Sequence, residues 1–156
     1  MPYFAIANFW ESERRTARAG ESMQQGAVCK VSDWNDGQRK LLKVAGGDTI
    51  TGASVAYKVG TDPLQVESST ANTTLLGSRV VTIVSGDYIV EVRGRAYLEY
   101  STDLLHSSLA TPPAVGTALG ILAGQWCTAA TGSAVTSPVC GRVFRYFGTR
   151  LIVELL

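Results

Sequence analysis

YIVEVRGRAYLEY, residues 88–100, decides the fold. Every second residue from Val90 is apolar or small: Val90, Val92, Gly94, Ala96, Leu98, Tyr100. The intervening set, Ile89, Glu91, Arg93, Arg95, Tyr97 and Glu99, is largely charged. A strand sends successive side chains to opposite faces, so this period of two predicts a strand with one apolar and one charged side. Thirteen residues at ~3.3 Å each would span roughly 40 Å, about twice a typical strand. Gly94 is the natural point for such a strand to bend or bulge. Glu91 and Arg93 read as cross-strand charges on a solvated or interfacial face.

Outward from this spine the chain reads as short strands and turns. Upstream are Ala27–Val31, then Gln38–Val44 behind an Asp36-Gly37 hairpin signal. Thr49–Val59 follows, interrupted at Gly52, and Arg79–Val84 comes after it. Gly60–Gly77 is rich in Thr, Ser, Asn and Asp and reads as an exposed loop. Downstream, Ser101–Ala114 loses the strand period and allows a helical turn over 103–109 capped by Thr102. Strands then recur at Ala118–Leu122, Trp126–Ala130, Ala134–Val139 (weakened by Pro138), Gly141–Phe147 and Arg150–Leu156, the last two joined by Gly148-Thr149. Turns every 8–12 residues and almost no helical period predict an all-β protein, a small barrel or a sandwich.

The chain has 156 residues, enough for one domain burying about 70% of its unfolded surface. Charged residues are 17% of it, below the usual ~25%, and the net charge is +1. Low charge suggests that a partner covers part of the surface. Near-neutrality argues against nucleic-acid binding driven by bulk charge. Residues 1–15 lack the basic start and long apolar run of a signal peptide, and no run reaches the ~20 apolar residues of a membrane span. Cys29, Cys127 and Cys140 are odd in number and scattered, which predicts reduced, buried thiols; a Cys127–Cys140 bridge requires their strands to pair.

Residues 1–18 read as an N-terminal arm, and 19–156 as a single β-rich domain. Large apolar groups (Tyr3, Phe4, Ile6, Phe9, Trp10) precede a charged patch (Glu11, Glu13, Arg14, Arg15, Arg18). The arm packs either on its own domain or on a neighbouring subunit. Aromatics beside arginines make good interface anchors, which selects Phe4, Phe9, Trp10, Arg14 and Arg15 as partner-binding residues. Trp34, at a predicted turn tip, is another; the alternative is a half-buried residue covering the barrel end.

Little in the chain points to catalysis. The single histidine, His106, has Asp103, Ser107 and Ser108 beside it in sequence but no G-x-S-x-G elbow, so it reads as a loop or cap residue. No C-x-x-C pairing suggests zinc, and no phosphate-loop motif occurs. Glu91 and Glu99 sit ~26 Å apart along their strand, too far to share one bond. Tyr97, Tyr100, Phe144, Tyr146 and Phe147, with Arg93, Arg95, Arg142 and Arg145, could instead stack bases of a single strand.

The order of motifs adds one more reading. ARAGESMQQGAVCKV leads to QRKLLKVAGGDTITGASV; later come YSTDLLHSSLATPPAVGTALGILAGQWCTAA and SPVCGRVFRYFGTRLIVELL. This sequence, over roughly Tyr100–Leu156 and more loosely Ala19–Val59, resembles the cement or head-decoration proteins of tailed bacteriophages. The resemblance implies a small β-barrel or β-tulip-like domain on the outside of the phage head. It implies a non-enzymatic virion protein without cofactor or metal, made in the host cytoplasm, that cross-links neighbouring major capsid protein subunits as a homodimer or homotrimer. Contact with membrane or nucleic acid is not expected of it. The alternatives are another phage structural part (tail-tube, head-completion or fibre-base protein), or a β-barrel binding single-stranded nucleic acid or glycan.

Overall fold

A computed structural model describes residues 4–8, 12–35, 38–58, 83–111, 113–136 and 139–156. These form thirteen strands and two single-turn 3-10 helices. The predicted spine is cut at the expected glycine. Gly94 has φ +80, and the chain leaves it as two strands, β7 (Tyr88–Gly94) and β8 (Ala96–Ser101), that belong to different sheets. Glycine adopts this left-handed conformation without a Cβ clash, which makes it the cheapest place to redirect a strand.

The first half of the spine enters a closed five-stranded barrel. β7 joins β2 (Ser12–Ala19), β3 (Ala27–Asn35), β4 (Gln38–Lys43) and β6 (Ser54–Tyr57) in the circular order β2-β4-β3-β6-β7. Five strands cannot alternate direction all the way round a ring, so one contact must be parallel. It is β2 with β4, where Ala17–Ala19 run beside Arg39–Leu41. A five-stranded barrel has a narrow bore, and small side chains fit it. Ala17, Ala19, Ala27 and Ala56 line the interior with Cys29, Leu41, Ile89, Met23 and Ile83.

The second half enters an open four-stranded sheet. β8 lies between β1 (Phe4–Asn8) and β13 (Arg150–Leu155), and β12 (Gly141–Phe147) forms the far edge. The inner face of this sheet packs on the outside of the barrel. Phe4, Leu98, Tyr100, Leu151, Val153 and Leu155 meet Val28, Val55 and Val92 in the main core. The hairpin of β9 (Leu119–Leu122) and β10 (Gln125–Thr128) closes one end, with Leu104, Leu105 and Leu109 from the 3-10 turns. A short parallel pair, β5 (Thr49–Ile50) with β11 (Val135–Thr136), ties the last third to the barrel.

At the centre of this seam is a polar chain. The Trp126 indole N–H donates to Tyr100 Oη (3.1 Å), and that hydroxyl donates to the Gly26 carbonyl (2.6 Å). All three buried polar groups are thereby satisfied, and burial raises the Tyr100 pKa far above the ordinary phenol value. Gly26 has φ +75, and a Cβ there would lie 2.4 Å from the Tyr100 ring.

Several expectations are corrected. Residues 1–18, where described, are not a separate arm but pack on their own domain, one of the two placements expected for them. Their described part forms β1, paired with β8, and β2, a barrel stave paired with β7 and β4. β1 follows from Phe4 and Ile6 sharing an inward face, β2 from Ala17 and Ala19 fitting the bore. Glu91 is not on a solvated face; it is fully buried inside the barrel. The strand expected over Thr49–Val59 is two strands, β5 and β6. Thr102 opens the first 3-10 turn rather than capping a helix, and His106 caps the second. β10 and β12 do not pair, and all three cysteines are free and buried. The predicted loop at Gly60–Gly77 lies outside the described residues, as does the strand at Arg79–Val84 except for its end, where Ile83 bridges Met23.

Candidate interaction surface

The outer face of the four-stranded sheet combines exposed aromatic rings with unbalanced charge. Along β8 and β13 the residues alternating with the core set are Tyr97, Glu99, Arg150, Ile152 and Glu154. On β12 the alternation slips. The register with β13 shifts between Val143 and Arg145, so Phe144 and Arg145 are both exposed. A β-bulge re-aims a side chain in this way. Phe144 stays 45% exposed while its ring packs on Tyr97, 4.6 Å between centroids. Phe147 stays 43% exposed, with the Arg145 guanidinium 4.4 Å above its ring.

Charge on this face is uneven. Arg95 pairs with Glu154 (3.4 Å) and Arg150 with Glu99 (3.1 Å), which engages both of the face's glutamates. Arg142 and Arg145, both exposed, have no acidic partner within ion-pair distance among the described residues. Four arginines against two glutamates leave the face positive in a chain whose net charge is only +1.

The edge beside these residues is half covered. Gly116 N–H donates to the Val143 carbonyl (2.7 Å), Val143 N–H donates to the Thr117 carbonyl (3.0 Å), and Ala118 bridges Arg142. Beyond Val143 no described strand lies beside β12 on that side, so among the described residues Phe144–Phe147 is an open edge.

The residues expected to bind partners fare differently. Phe4 is fully buried, with its ring 5.0 Å from that of Tyr100, so it is a core residue and not a surface anchor. Phe9 and Trp10 lie outside the described residues. Arg14 and Arg15 are exposed on the barrel stave β2, and Arg15 pairs with Glu13 (3.2 Å). Trp34 lies within β3 opposite Arg39, not at a turn tip. Of the proposed base-stacking set, Tyr100 is core, whereas Tyr97, Phe144, Phe147, Arg95, Arg142 and Arg145 do gather on the sheet. The signal for the bulge that exposes Phe144 beside Arg145 is slight: strict alternation in GRVFRYF would put Arg145 on the same face as Val143, and the slip moves it outward.

Among the described residues, two of the larger concave places lie elsewhere. A cavity of about 270 Å³ opens at one barrel mouth between Arg39, Arg93, Lys30, Asp48 and Ser54. Lys30 and Asp48 pair there at 2.6 Å, and Arg39 is held from behind by Glu91 at 2.8 Å. A groove of about 410 Å³ runs between Gln24, Gln25, Lys43, Leu104 and Gln125. Neither brings a nucleophile against a base. Ser108 is the nearest approach to such a pair: its Oγ lies 3.0 Å from His106 Nδ1, but the same oxygen accepts the Thr128 N–H (3.1 Å), and Ser108 N–H donates to His106 (3.1 Å). Those bonds pin the 3-10 turn to β10. No group of three potential metal ligands occurs among the described residues. No described helix is long and apolar enough to cross a membrane. Comparison with protein families and with curated proteins finds no match for this chain.

Proposed function

We propose that the chain is a virion structural protein of a tailed bacteriophage, a cement protein that binds the outside of the head and cross-links major capsid protein subunits. The observation that carries this reading is the outer sheet: exposed Phe144 and Phe147, unbalanced Arg142 and Arg145, and a strand edge that no described strand covers. Aromatic residues and arginines supply most of the energy in protein interfaces. On a shell with many equivalent positions, a modest contact made through two or three copies of the chain gains avidity without new contacts. The motif order of residues 100–156 supports the same reading.

The test is addition of the purified chain to expanded heads of the parent phage that lack it. Stoichiometric decoration visible by electron microscopy, with particles that release DNA at a higher temperature, is the expected result. Heads that stay bare at saturating protein end the proposal. Removing Met1–Arg15 is not a clean test of the binding surface, because it deletes β1 and half of β2 from the fold.

A second reading has one observation in its favour. Aromatic rings and arginines on a sheet face are what single-stranded nucleic acid stacks upon. Against it, two of the rings are already covered on one side, Phe144 by Tyr97 and Phe147 by Arg145. Retention on oligo-dT that falls steeply with salt would select it.

A further inference from the structure

We propose that the open edge of β12, Phe144–Phe147, takes up an extended acidic segment of a partner protein as an added strand of the sheet. The slot is bounded at one end by the 116–118 segment hydrogen-bonded to Val143 and at the other by the Gly148-Thr149 turn. A strand entering it completes backbone hydrogen bonds that no described residue completes, while its side chains meet Arg142, Phe144, Arg145 and Phe147. Nucleic acid could use the arginines but has no ladder to offer the backbone.

The charge distribution selects the occupant. In an antiparallel pair across a two-fold axis, the residue at the centre faces its own copy. A second copy of this chain centred on Phe144, Arg145 or Tyr146 therefore sets the two Arg145 side chains directly opposite or on the diagonal, roughly 5–8 Å apart, and one centred on Phe147 runs into the Gly148-Thr149 turn. Like charges at that separation oppose pairing, and both glutamates of the face are already engaged by Arg95 and Arg150. Carboxylates at alternate positions of a different chain turn the same geometry favourable. The inference rests on the assembly reading only for where such a partner is found; the edge itself can be tested without heads.

The probe is a blocked peptide, (Glu-Val)4, titrated into the intact chain and followed by amide NMR. Binding should shift the amides of residues 144–147 and protect those that point away from β13, weaken with salt, and fall at least tenfold in R142E/R145E. Both arginines are exposed, so that variant should keep the native spectrum, and it should now prefer (Lys-Val)4. The preference reversal is a positive signal that a merely damaged protein cannot give. Absence of binding at millimolar peptide, binding indifferent to the charge swap, a dimer mediated by β12 in sedimentation, or stronger binding of oligo-dT at the same amides each overturns the proposal. The two readings fail separately. Peptide binding with bare heads removes the cement role and keeps the edge; decorated heads without peptide binding remove the edge and keep the cement role.

Discussion

The barrel interior and the seam between barrel and sheet are both buried, yet they are held in opposite ways. The seam is filled by large side chains, Trp126, Tyr100, Phe4, Leu98 and Ile121, with its one polar chain fully satisfied. The bore is filled by alanines and medium apolar residues, and it also holds an ion pair, Arg39 with Glu91 at 2.8 Å. Glu91 is entirely buried and Arg39 is 8% exposed at the mouth. Burying a charge pair costs desolvation that its attraction repays only in part. The seam is therefore the main source of stability, and the ion pair is a position that tolerates loss of both partners better than loss of one.

The largest effect should come from the seam. Trp126→Ala removes a fully buried indole and leaves Tyr100 Oη without its donor. About 3–5 kcal/mol of unfolding free energy should be lost, read from urea denaturation. The cysteines localise the damage. Burial raises the thiol pKa of all three and keeps the reactive thiolate rare. Labelling by a thiol reagent should accelerate first at Cys140, which belongs to the seam, and only later at Cys29 in the bore. The reverse order would show that the barrel depends on the seam less than the packing implies.

A smaller effect, with a distinctive pattern, should come from the bore. Glu91→Ala leaves the Arg39 charge buried and should cost about 3 kcal/mol, the low end of the usual range because Arg39 lies near the mouth and can draw in water. Replacing both residues by methionine should recover most of that loss, and Cys29 labelling should return toward its native rate. A double variant as unstable as Glu91→Ala would mean that the pair contributes net stability, against the argument from desolvation.

The contrast between bore and seam was half legible in the sequence. The period of two over residues 88–100 and the break at Gly94 were readable, because strand pleat and glycine geometry are local properties. That the charged side of the first half faces a barrel interior was not readable. Alternation separates two faces but does not say which one meets water, and Glu91 looks the same in either place. β2 is hard to read for a related reason. SERRTARA lacks large apolar residues, and its alanines signal a strand only once the bore is known to be narrow. Phe4 reads as an anchor because an aromatic near a terminus looks like one; its period-two partner Ile6 is the signal that it belongs to a strand of the open sheet. The aromatic residues and arginines of the outer sheet were legible as a set, but the bulge that exposes Phe144 beside Arg145 depends on pairing with β13, a long-range property.

The smallest effect distinguishes the two regions by acid. Two turns at the barrel rim share one construction. Asp48 accepts hydrogen bonds from Lys30 Nζ (2.6 Å) and the Ala45 N–H (2.7 Å); Asp87 accepts them from the Val84 N–H (2.9 Å) and Lys58 Nζ (2.9 Å). These bonds hold both carboxyls below the ordinary value of 3.8, led by Lys30 for Asp48 and by the Val84 amide for Asp87. A carboxylate whose pKa is lower folded than unfolded contributes stability that is complete above the unfolded value. That contribution fades as pH falls through the folded value, within roughly pH 5 to pH 1. Asp87 leads into β7 of the barrel and Asp48 into β5, which pairs with β11, and neither turn is part of β8 or β13, whose glutamates Glu99 and Glu154 sit on the outer face of the sheet. Acid should therefore raise amide exchange in β7 and its neighbours before it does so in β8 and β13. D48N/D87N should flatten that difference, since the amides keep their shape but no longer titrate. Equal acid sensitivity of the two regions in the native chain would place the pH-dependent contacts elsewhere and end the division drawn between them.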